Sequence, residues 1–167
     1  MKKVGILLEN LFNEEEFIYP YHRLKEDFEV IIIGSEKDKT YTSENGVKFT
    51  SDIASKDVDP QDLDALFIPG GYSPDYMRRC QATIDLVKEV DKENKTIAAI
   101  CHGPWMLASC IDLKGKDVTS FYSIKDDLVN AGANWIDEET VVSENILTAR
   151  IPKDLSSLVK AFVEKLS

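Results

Sequence analysis

A chain of 167 residues with 30 Asp or Glu against 20 Lys or Arg, and a formal net charge of −10, is long enough for one domain with a substantial core. Its acidity argues against nucleic acid or an anionic membrane as a partner. With 43% hydrophobic residues the chain is not disordered. It also lacks the roughly 20 consecutive apolar residues of a membrane span, and its amino terminus turns acidic before a signal-peptide core develops. A single domain over 1–167, placed in the cytosol, is the expectation. The three cysteines, Cys80, Cys101 and Cys110, form no CxxC pair, and only His22 and His102 supply imidazole, so reduced thiols are expected and no disulfide framework or metal site.

In chain order, Val4 to Leu8 reads as a first strand. Phe17, Tyr21 and Leu24 mark a helix in which Pro20 is expected to produce a kink or move the start. Val30 to Ile33 follows as a strand, and then Thr40 to Ser51 as a hairpin turning at Glu44-Asn45-Gly46. Ala65 to Ile68 is a strand ending in Pro69-Gly70-Gly71, Ile84, Val87 and Val90 share a helix face, and Thr96 to Ile100 is a further buried strand. A short helix through Asp126, Leu128 and Val129 can end at Gly132, a second hairpin spans Thr140 to Arg150, and a last helix runs from Asp154 to Leu166. Both hairpins are expected to decorate the ends or edges of the sheet. Alternating strands and helices predict an α/β, open doubly wound, mostly parallel sheet with helices on both faces and its site at the carboxyl ends of the strands.

Cys101 stands where an apolar strand runs directly into His102-Gly103-Pro104 and a new helix. Gly103 permits a tight turn, Pro104 suits a first helical turn, and amides of the following helix would favour a thiolate, so the segment has the mechanics of a nucleophile elbow. The paired Gly70 and Gly71 at a neighbouring strand end offer amides to an oxyanion beside the thiol. Cys80 reads as an exposed helix position, Cys110 as core, His22 as a surface or subunit-contact residue, and Trp105 and Trp135 as packing residues.

Four segments, AAICHGP around Cys101, FIPGG at 67–71, IYPYHRL at 18–24 and IKDDLVNAGANWID at 124–137, together resemble the PfpI family of the DJ-1/PfpI superfamily along nearly the whole chain. The resemblance implies a flavodoxin-like fold, a nucleophilic Cys101, His102 as its base or orienting neighbour, no organic cofactor, and a homodimer or homohexamer with sites between subunits. It also implies that Asp75 of a neighbouring subunit orients His102, where the family usually has the longer glutamate. A glutamate, usually protonated, is further implied on the cysteine, within a segment like E-F-E-D-x-E. Anchoring on Phe12 and Glu16 places Asn13 at that position, with Glu14 the only nearby carboxylate if the turn shifts. An asparagine can donate to a thiolate but cannot return a proton, and general acid–base catalysis is worth roughly 10²–10⁴-fold.

The leading expectation is thus a cysteine-dependent intracellular hydrolase of peptidase type. Beside it stand a glutathione-independent glyoxalase or protein deglycase acting on reactive dicarbonyls, and a non-enzymatic redox sensor or chaperone. The expected partner is a small carbonyl or peptide substrate.

Overall fold

Alternating side chains set the layers. In the strand Thr96–Ile100, Ile97 and Ala99 point into one core while Ala98 and Ile100 point into the other, and all four are fully buried. The computed structural model describes residues 1–167. The chain runs β1 (Lys3–Leu7), α1 (Glu14–Leu24), β2 (Glu29–Gly34), β3 (Thr40–Thr42), β4 (Lys48–Thr50), β5 (Ile53–Ala54) and β6 (Ala65–Ile68). It continues through α2 (Ser73–Met77), α3 (Gln81–Lys92), β7 (Thr96–Ile100), α4 (Pro104–Cys110), β8 (Asp117–Val118) and α5 (Lys125–Asn130). It ends with β9 (Asn134–Trp135), β10 (Thr140–Ser143), β11 (Ile146–Ala149) and α6 (Leu155–Leu166).

The central sheet has the order β10-β11-β7-β6-β1-β2-β5, parallel throughout except for the β10–β11 pair. Helices cover both faces. Phe17 and Leu24 of α1 pack with Leu158 and Phe162 of α6 on one side, and Leu86 and Val87 of α3 with Met106 and Leu107 of α4 on the other. This is the doubly wound architecture expected from the alternation and the flavodoxin-like fold implied by the resemblance, and no helix is long and apolar enough to cross a membrane.

Two expectations change in detail. The helix α1 runs through Pro20 without a shifted start, because Asn13 fixes its beginning about two turns earlier. The second hairpin does more than decorate an edge: β11 pairs in parallel with β7, Thr148 opposite Ala99, and leaves only β10 at the border. The first hairpin, β3–β4, forms its own two-stranded ribbon beyond the sheet.

Because β6 and β7 are parallel neighbours, with Ile68 opposite Ala99, Gly70-Gly71 and Cys101 emerge side by side at the carboxyl edge. Turns of α1 and of β3–β4 close over that edge.

Candidate active site

The helix α1 begins with half of a capping box. Asn13 Oδ1 accepts from the Glu16 amide at 3.2 Å, so Asn13 is the cap and Glu16 sits in the first turn. Glu16 does not return a bond to the cap but turns its side chain into the protein, where it is 0% exposed. Its Oε1 accepts from the Gly70 amide at 2.8 Å, and its Oε2 is buried without a hydrogen-bond partner. Burial, first of all, pushes the Glu16 carboxyl up to about 8, against the opposing pull of the Gly70 amide and of the Cys101 thiol beside it. At neutral pH it holds a proton.

Cys101 has φ 62°, a left-handed conformation uncommon outside glycine. Its amide donates to Ala149 at 3.0 Å and its carbonyl accepts from Phe121 at 2.9 Å, so β11 and the segment after β8 fix the turn from two sides. Gly103 is required by contact: a Cβ there would lie 2.6 Å from the Ile68 carbonyl. Gly71, at φ 70°, is equally constrained, since a Cβ would meet Leu11 O and Asn13 N at 2.6 Å.

The thiol is held well above its ordinary range by burial and then by the charge Glu16 carries when ionised, while hydrogen bonds from the His102 and Gly71 amides pull the other way. The start of α4 and the amides at the sulfur favour the thiolate expected there, while burial and an ionised Glu16 oppose it. A protonated Glu16 removes the repulsion and leaves an O–H near the sulfur. His102 is kept neutral by burial, with Nδ1 3.4 Å from Cys101 Sγ and Nε2 3.3 Å from Ser123 Oγ. Its ring stacks on Phe121 at 5.0 Å between centroids. A neutral imidazole beside a protonated thiol can take its proton.

Cys101, His102, Gly71, Glu16 and Asn13 line one open pocket of about 350 Å³, together with Glu44, Tyr72, Phe121 and Pro152. A larger groove of about 590 Å³ lies alongside between Ile18, Tyr19 and His22 of α1 and Leu155 of α6, and holds none of the cysteine chemistry.

Of the residues singled out from sequence, Cys101, His102 and the Gly71 amide come together as expected. The Gly70 amide does not serve an oxyanion, because Glu16 occupies it. Asn13 reaches the pocket as a helix cap, and the carboxyl at the thiol belongs to Glu16, three residues on, because the first turn of α1 points that position inward. Glu14 is not at the thiol either: its Oε1 accepts from Ser43 Oγ at 2.5 Å and from the Asn45 amide at 2.8 Å. Asp75 lies in α2, paired with Arg79 at 2.6 Å and making no contact with His102 of the same chain. Cys80 precedes α3 as its cap residue and is half-buried rather than exposed, and Cys110 is a core thiol pushed up to about 12 by burial. Glu44, Phe121 and Ser123 were missed, since in the sequence they are a turn residue and two loop residues with no chemical spacing to Cys101.

A left-handed cysteine at the end of a central parallel strand, with a buried carboxyl and an imidazole on its sulfur, defines a nucleophile-elbow α/β protein. The chain belongs to the DJ-1/PfpI family, which it matches over residues 2–165. It is 40% identical to a deglycase of Pyrococcus abyssi over 98% of this chain and 99% of that protein. It is 43% identical to the putative cysteine protease YraA of Bacillus subtilis over 93% of each. Among solved structures, a two-domain protein of Anabaena variabilis with DJ-1/ThiJ/PfpI-like and ferritin-like domains superposes with a TM-score of 0.97 at 39% identity, covering 99% of this chain and 48% of that one. Schizosaccharomyces pombe DJ-1, at 23% identity and a TM-score of 0.88 over 99% of this chain and 92% of that one, shares the fold.

Proposed function

We propose that this chain is a cysteine-dependent enzyme acting on carbonyl adducts, of the deglycase or glyoxalase kind. The observation that carries this reading is the buried Glu16 carboxyl at Cys101, protonated at neutral pH and fixed by the Gly70 amide. His102 takes the thiol proton as sulfur adds to the carbonyl carbon, and the amides of Gly71 and His102 receive the oxyanion. Glu16 then moves a proton between the adjacent carbons of a dicarbonyl, so that one is oxidised and the other reduced within the molecule, and water releases a hydroxy acid. The deglycase name of the 40% identical relative supports this reading. The expectation of impaired proton transfer rested on Asn13 and lapses with Glu16 in place.

Peptide hydrolysis stands second, favoured by the Cys101–His102 adjacency and by the name of the Bacillus relative. Assembly into a homodimer or homohexamer belongs to either reading, with Asp75 directed to His102 of another copy.

The deciding experiment follows loss of a methylglyoxal–arginine adduct and formation of lactate, with a scavenger of free aldehyde present. Wild type should accelerate adduct loss beyond spontaneous dissociation, and Cys101→Ala should not. Loss no faster than the spontaneous rate, with cleavage of a peptide substrate instead, would replace this reading by the second.

A further inference from the structure

Glu44 enters the pocket from the turn of the first hairpin. Its amide donates to the Phe12 carbonyl at 3.0 Å. On either side of it, Ser43 and Asn45 are held by Glu14 of α1, so the turn is clasped to the helix that carries Glu16. The Glu44 side chain stands over Gly71, close enough that a Cβ on that glycine would come within 2.7 Å of Oε1. Burial and then the charge of Glu14 raise its pKa, and its own charge in turn raises that of Glu16. The residue is exposed, and water at its carboxyl favours the charged form.

Around it the pocket holds the unpartnered, fully buried Oε2 of Glu16 and a neutral His102, and no lysine or arginine lines it. An entering anion meets Glu44 with nothing to offset it but the amides at the sulfur. An entering cation meets a fixed counter-charge.

We propose that Glu44 sets the charge of the substrate: the pocket favours carbonyl adducts borne next to a cationic group such as a guanidinium and disfavours carbonyl compounds that carry a carboxylate. This rests on the carbonyl-adduct reading above and names its substrate class. The loop clasp makes the selection a property of the folded site, because the backbone that carries Glu44 cannot leave the pocket without breaking the Ser43 and Asn45 bonds to Glu14.

The test uses two methanethiosulfonates of similar size, one bearing trimethylammonium and the other sulfonate. Their rates of reaction with Cys101 are read by peptide mass spectrometry in wild type, Glu44→Gln and Glu44→Lys. The cationic-to-anionic rate ratio should fall about 3- to 10-fold in Glu44→Gln and further in Glu44→Lys, the differences shrinking at about 0.5 M salt. The kcat/KM ratio for methylglyoxal–arginine adduct over glyoxylate should follow the same order. One labelling ratio for all three proteins overturns the proposal, even if carbonyl compounds are turned over. A ratio that tracks Glu44 without carbonyl turnover keeps charge selection and removes the carbonyl reading instead.

Discussion

Glu16 carries a cost that only its chemistry explains. With an ordinary pKa of 4.5 in the unfolded chain and about 8 in the folded one, the native state retains a proton that the unfolded state has lost. The contribution is therefore most favourable below about pH 4.5, declines as pH rises towards 8, and is flat above. Glu16→Gln keeps an acceptor for the Gly70 amide and removes the ionisation, so relative to wild type it should gain about 2–4 kcal/mol between pH 5 and pH 8, checked by urea unfolding at both. The same variant should lose the cysteine-dependent carbonyl reaction. In wild type that reaction should weaken above about pH 8, as Glu16 gives up its proton and its charge opposes a thiolate; a rate still rising at pH 9 would mean that Glu16 is not the proton carrier.

At the scale of elements, α1 shows what was readable and what was not. Its apolar face at Phe17, Tyr21 and Leu24 was legible because helical period and burial agree. Which member of Asn13-Glu14-Glu15-Glu16 faces the sulfur was not, because a shift of one residue rotates a helix by roughly 100° and three adjacent glutamates give no internal mark. The cap settles it, and Asn13→Ala should cost about 1 kcal/mol of stability while leaving the Glu16 carboxyl in place. Asn13→Glu, for the same reason, should bring no gain in aldehyde turnover; a marked rise would return the acid's role to position 13. The hairpins were legible from turn residues between strand formers, but not their destinations, one joining the sheet through β7 and the other bracing α1. Partner choice depends on tertiary contact, which local pattern does not encode.

Across the whole molecule, the layered sheet and the strand ends that bear the site followed from apolar runs and crossover handedness, as Cys101, His102 and Gly71 attest. Glu44 and Ser123 could not be found that way, since they approach from loops whose course only the assembled fold determines. Assembly is the remaining level. If Asp75 serves a second copy's His102, dilution to a monomer verified by sedimentation should abolish turnover, whereas full activity there would confine the site to one chain.

Two left-handed non-glycine residues stand at the site: Leu11, at φ 62°, meets Gly71, and Cys101, at φ 62°, bears the sulfur. Each such non-glycine residue costs roughly 1–2 kcal/mol, so backbone strain is placed directly at the reactive atom. On gentle heating this neighbourhood should loosen first, and cysteine reactivity should change character several degrees before the sheet melts. Replacing the cysteine makes the exchange visible. Cys101→Gly should melt higher than Cys101→Ala by about 1 kcal/mol equivalent, the reverse of their usual order, because only glycine escapes the penalty of holding a side chain there. The folded chain is less durable for it, and its sulfur is presented at one fixed angle.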